Sequence, residues 1–167
     1  MRSAPIAAIV LLVTLLSGWN CMRLPNDDDR APPPNVPNIP TIITVVKHAY
    51  RMEGHGRIVF LAAPDVDGSM LTAACGALEN DLGVKVRPEE HADRTDPDLP
   101  ALTPVLPETG EIGILIRLGR FNLAEDGRLH VTVSFARSGL DGGDLDYVLE
   151  RAGDEWSITD VVPGAVA

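Results

Sequence analysis

The sequence predicts an α+β domain, two N-terminal helices packed on a C-terminal antiparallel four-stranded meander. Three observations predict it. Apolar residues recur at helical spacing over 42–50 and 70–78. They alternate with polar ones in "RLHVTVSF", residues 128–135. Asp/Gly turn sequences separate the strand-like segments that follow.

The first helix is "TIITVVKHAYRM", with Ile42, Val45, Val46, Ala49 and Tyr50 on one face and Pro40 just before it. Proline is tolerated in a first helical turn, although the β-branched residues also suit a strand. Gly54 and Gly56 then break the chain, and "RIVFLA", residues 57–62, reads as a short strand. "PDVDG" is a turn into a second helix, Ser69–Asp81, with Met70, Ala73, Ala74, Ala77 and Leu78 on one face. Asp67 or Ser69 serves as its N-cap, and Gly83 stands where a helix stops. "VKVRP" is a candidate short strand, and residues 89–108, polar and proline-rich, read as a long loop that is either mobile or functional.

The four strands of the meander are "GEIGILIRLGRFNL", "GRLHVTVSFARS", "DLDYVLERA" and "EWSITDVV". In the second, Leu129, Val131, Val133 and Phe135 share one face, and His130, Thr132 and Ser134 the other. In the third, Tyr147 and Leu149 oppose Val148 and Glu150. One face of the sheet is therefore buried under the helices and one is wetter. Arg117, alternating with Ile116 and Leu118, points off the sheet, and Trp156 with Ile158 is expected in the core over the helices.

Ahead of this domain (residues 41–167) lies Arg2 followed by the apolar run Ile6–Leu16, a length that suits a secretory signal better than a membrane span. Residues 1–21 are accordingly read as a signal peptide or membrane anchor. Cys21 is the candidate lipid-attachment residue, although Trp19 and Asn20 before it depart from the small residues a lipoprotein signal carries. Cleavage without lipid and an uncleaved anchor remain as alternatives. All three place the domain at the bacterial cell envelope, membrane-anchored, periplasmic or outside the cell. Residues 22–40, with "NDDDR" and then a proline-rich stretch, form an acidic semi-rigid linker. The run Asp27–Asp29 is a solvated charge run and not a metal cluster.

The 167-residue chain carries a net charge of −10. Residues 1–40 contribute three Arg and three Asp, so the acidity belongs to the domain. It repels phosphate backbones and anionic head groups, which excludes nucleic acid as a partner and leaves the N-terminal segment as the sole contact with a membrane. Aromatic residues, at 4 %, are too few for stacking platforms. With Cys21 lipidated or removed, Cys75 is a lone structural thiol on the apolar side of the second helix.

Motifs for chemistry are sparse. "DVDG", residues 65–68, lacks the further ligands of a calcium loop, and "GGDLD", residues 142–146, occurs once, so both read as turns. His48, His55, His91 and His130 are isolated and are expected in solvent-facing or capping roles. Neither a seryl nucleophile elbow nor a phosphate loop is present. Catalytic, metal and cofactor residues are therefore expected to be none, with one reservation: folding could bring His130 close to Asp146 across a hairpin.

The run from Val131 to Val162, with Gly139, Gly142, Gly143, Tyr147, Gly153 and Trp156, resembles the C-terminal sheet of uncharacterised bacterial exported domains. It is also loosely similar to nuclear-transport-factor-2-like and cystatin-like sheets. The likeness covers about the last third of the chain and implies a fold and no activity; Asp141 stands in the glycine-rich loop where such domains carry Cys. The leading expectation is a tethered or secreted accessory or binding domain with a protein partner. The alternatives are a small ligand-binding or hydrolase-like enzyme with a pocket on the sheet, and an inhibitor or immunity-like protein steered to a basic partner by its acidity.

Overall fold

The computed structural model describes residues 38–54, 58–96, 98–139 and 141–166. Cys21 and the linker residues before Asn38 lie outside the described residues, as does His55.

Helix α1 spans Ile39–Glu53, beginning two residues before the expected start at Thr41. The Asn38 side chain caps it by accepting from the Thr41 amide at 2.9 Å, and Pro40 sits in the first turn, where no amide donor is needed. Its buried face is Thr41, Ile42, Val45, Val46 and Ala49. Strand β1 (Ile58–Ala62) follows, then helix α2 (Gly68–Leu82). Asp67 caps α2, accepting from the Ser69 amide at 2.8 Å, and Gly83 ends it at φ 67°, a left-handed conformation that favours glycine.

The remaining elements are β2 (Val86–Pro88), a 3-10 turn at Glu89–His91, β3 (Val105–Leu106), β4 (Glu111–Leu118), β5 (Asn122–Leu123), β6 (Leu129–Ser138), β7 (Asp141–Ala152) and β8 (Glu155–Val166). They form one mixed sheet of eight strands in the order β2-β1-β4-β6-β7-β8, with β3 pairing β4 and β5 pairing β6 beside that path.

This corrects the four-stranded antiparallel meander. The α+β class holds, but β1 enters the sheet between β2 and β4 and runs parallel to both. The physical reason is the character of β1. All five of its residues are buried, with Val59 and Leu61 in the core under the helices and Ile58, Phe60 and Ala62 in a second core on the opposite face. A strand apolar on both sides is stable only inside a sheet covered on both sides.

The cover of the second face is the segment expected as a long loop. It makes the 3-10 turn, a bridge between Asp93 and Val105, and β3 against β4, and it lays Ala92 and Leu106 over Phe60 and Leu115. "GGDLD" is likewise not a turn. Gly142 and Gly143 continue β7, paired with Ala136 and Phe135. Gly142 lies so close to β6 that a Cβ there would meet the Phe135 carbonyl oxygen at 2.4 Å. Asp141 at the start of β7 takes a two-point bond from Arg137, both contacts 2.8 Å, and Arg137 also donates to the Glu53 carbonyl at the end of α1.

Trp156 and Ile158 do face the helix side, as partly buried residues packed at the margin of the core. Trp156 is less enclosed than expected because β8 is the last strand of the sheet, with no neighbour beyond it to close the packing.

Candidate functional site

The helix face of the sheet is filled. Tyr147 at its centre is fully buried, and its hydroxyl lies 3.1 Å from His48 Nδ1, the two rings meeting edge to face at 88°. Burial, reinforced by the charge of Glu53, pushes the Tyr147 phenol up to about 12. His48 is therefore neither free in solvent nor a cap; it satisfies a buried phenol, a role that its isolation in sequence concealed. Cys75 is buried as expected, and desolvation raises its thiol to about 11, which leaves it protonated and unreactive at neutral pH.

The opposite face is open where its cover ends. The register places side chains in rows across β4, β6 and β7. Leu115, Ala136 and Gly142 form one row, and Arg117, Ser134 and Asp144 form the next. A cleft of about 390 Å³ lies over these rows, walled by Arg94 and Leu102 from the covering segment. Leu102 is an apolar side chain 58 % exposed, with φ 62° in the left-handed region that a residue with a Cβ rarely adopts. Its position is held by the neighbouring Ala101 carbonyl, which accepts from the Gly139 amide at 2.6 Å. Strain of this kind costs on the order of 1–3 kcal/mol and concentrates at functional surfaces.

The charges of the cleft are ordered. Glu89 accepts from both Arg94 and Arg117, the latter at 2.6 Å. Burial alone would raise the Glu89 carboxyl; the Arg117 and Arg94 guanidiniums outweigh it and hold it below the ordinary carboxylate range. Two guanidiniums share one carboxylate, so one positive charge is left over on this wall. Across Ser134 stands Asp144, half-buried and without a hydrogen bond or ion pair among the described residues.

Arg117 does leave the sheet face as expected, and it takes part in this arrangement. His130 and Asp146 are not brought together as a pair. The register puts His130 opposite Val148 and gives Asp146 to Thr132, whose hydroxyl donates to it at 2.6 Å. His91 is exposed on the 3-10 turn. Asp65 of "DVDG" binds Arg120 at 3.0 Å in the turn before α2. Among the described residues no group of three or more His, Cys, Asp and Glu is placed to hold a metal ion, and no helix is long and apolar enough to cross a membrane.

Glu89, Arg94, Leu102 and Asp144 carried no motif. The one signal that pointed to Glu89, Arg94 and Leu102 was the length and polarity of residues 89–108, since a long connection in a small domain generally covers or builds something; Asp144 lay in "GGDLD", which reads as a turn.

Compared with known proteins, the chain matches no family model, no curated protein and no solved structure.

Proposed function

We propose that this chain is an accessory or binding domain of the bacterial cell envelope, held there by its N-terminal segment and presenting the open sheet face. The observation that carries the reading is the order of segments in the sequence: an apolar run at Ile6–Leu16, Cys21, an acidic and proline-rich spacer, then a folded domain capped at Asn38. A spacer between an anchor and a domain serves a function in which the domain must reach something. The open cleft supports binding as that function, and the net charge of −10 disfavours nucleic acid and anionic lipid as what is bound. On this reading the membrane is touched only through the N-terminal segment.

The test is fractionation of cells expressing the full chain with a C-terminal tag, beside Cys21→Ala. Recovery with membranes, together with fatty-acid labelling lost in the variant, supports a lipid tether. A shortened chain released with the periplasm or the medium supports cleavage without lipid. Full-length, unprocessed chain in the cytosol refutes the envelope reading.

A further inference from the structure

We infer that the open-face cleft is a binding site for a small zwitterion with an apolar body, an α-amino acid with an aliphatic side chain being the simplest member of the class. The inference rests on reading the domain as a binding module and names what it binds.

The charge pattern selects the ligand. One wall holds Arg94 and Arg117 around the single carboxylate of Glu89, leaving one positive charge uncompensated. The row that begins at Arg117 ends, beyond Ser134, in Asp144, a half-buried carboxylate with no partner among the described residues. A ligand cation supplies the charge-assisted partner that this carboxylate lacks. An anion alone would satisfy the arginines and repel Asp144, while a cation alone would do the reverse. A molecule carrying both charges satisfies both walls, with the Ser134 hydroxyl between them.

The register sets both charges on one cleft. Arg117 and Asp144 stand directly across β6 from one another, two strand spacings or about 10 Å apart at Cα. Both side chains line the same cleft, so one small molecule within it can meet both charges.

The adjoining row sets the rest. Leu115 and Ala136 give an apolar floor, and Gly142 beside them adds no side chain to raise it. Leu102 overhangs as an exposed apolar wall that an aliphatic group would cover. The volume, about 390 Å³, lies at the lower end of small-ligand sites.

The experiment is isothermal titration calorimetry on the full chain with three probes: L-leucine, N-acetyl-L-leucine and L-leucinamide. Saturable binding of leucine, with each blocked analogue weaker by about tenfold or more, is expected. Asp144→Asn and Arg117→Gln should each weaken leucine by a similar factor, and Asp160→Asn, on β8 away from the cleft, should not. The analogues need no variant, so the result stands even if a substitution disturbs folding. Absence of saturable binding at millimolar leucine overturns the proposal. So does equal binding of leucine and N-acetyl-leucine, which would make the cleft a plain anion site. Either outcome leaves the fractionation result untouched, so failure of the ligand class and failure of the envelope reading are separable.

Discussion

Replacing Gly113 by Ala tests the placement of β1, the feature that most changes the fold from the expected meander. Gly113 on β4 lies opposite Ile58 on β1. A Cβ at this position would stand 2.6 Å and 2.9 Å from Phe60 ring carbons and 2.8 Å from the Ile58 carbonyl oxygen. Ordinary carbon contacts are about 3.5–4.0 Å, so something must move by close to an ångström. Phe60 is fully buried among Ala62, Leu106 and Leu115, and the Ile58 carbonyl belongs to the β1–β4 ladder. Neither neighbour yields freely. Overpacking of this kind costs about 1–3 kcal/mol. A glycine in an unobstructed strand position behaves oppositely, Ala being favoured there by about 0.5–1 kcal/mol. The sign of the effect is therefore diagnostic. Gly113→Ala should lower stability by about 1–2 kcal/mol net, a fall in Tm of several degrees, read by urea or thermal unfolding followed by circular dichroism. Phe60→Leu withdraws the ring, so the Ala substitution should cost less in that background than alone. A rise in Tm on Gly113→Ala alone would refute the packing of β1 and Phe60 against β4.

The other expectations follow from burial and charge. Trp156→Ala should cost about 1–3 kcal/mol, short of the ~3–5 kcal/mol of a fully enclosed Trp, because this residue sits at the sheet margin; a loss of 4 kcal/mol or more on the order of a core Trp would contradict that placement. Cys75 and Tyr147 titrate in the unfolded chain near 9.0 and 10.0 but in the fold only at about 11 and about 12. The fold therefore retains protons that the unfolded chain has lost, so their contribution is complete below pH 9 and falls away as pH rises through about 11–12. Urea unfolding as a function of pH should show that decline, and Cys75→Ala should remove its lower part. Glu89 has the opposite sign. Its lowered pKa stabilises the fold above the ordinary carboxylate range, and that contribution is lost as pH falls through its folded value, so Glu89→Gln should flatten the acid limb of the same profile. Tyr147→Phe should cost about 1 kcal/mol through the lost contact to His48, and a change indistinguishable from zero would mean that the hydroxyl is not held there.

How much of this was legible depended on whether local pattern alone decided the structure. Both helices announced themselves through apolar spacing, and the caps of α2 through Asp67 and Gly83, because capping is chemistry within a few residues; Asn38, which caps α1, was not singled out by the pattern. The strands from Glu111 to Val166 were legible by alternation and by glycine turns. The partner of β1 was not. "IVFLA", residues 58–62, is apolar throughout, which says that both its faces are buried and nothing about which strands flank it. Residues 142–146 misled because glycines that mark a turn also occur where two strands approach closely, as Gly142 does beside Phe135. His130 and Asp146 lie on neighbouring strands but are separated by register, since Asp146 stands two residues along β7 from Val148, the residue opposite His130. The cleft was least legible of all, because Glu89, Arg94, Ser134 and Asp144 come from three separate elements and acquire meaning only from their rows.

The mixed topology and the cleft have a common origin. Placing β1 between β2 and β4 obliges the chain to travel from one edge of that trio to the other, and residues 89–110 make the journey over the face the helices leave bare. Their apolar contacts stop at Leu115 and Ala136, where the sheet beneath turns from Phe60 and Ala62 to Ser134 and Asp144. The cleft is the step where this cover ends. Arg94 and Glu89 hang at its margin from the same segment, with Arg117 rising to meet them. The acidity of the whole chain then acts on what arrives. A free anion approaching a body of charge −10 is repelled over a distance of about a Debye length, roughly 8–10 Å in physiological salt, whereas a molecule with balanced charges meets no such barrier. The arginine excess is local and the acidity is global. That combination favours a ligand that is neutral at a distance and charged at both ends on contact.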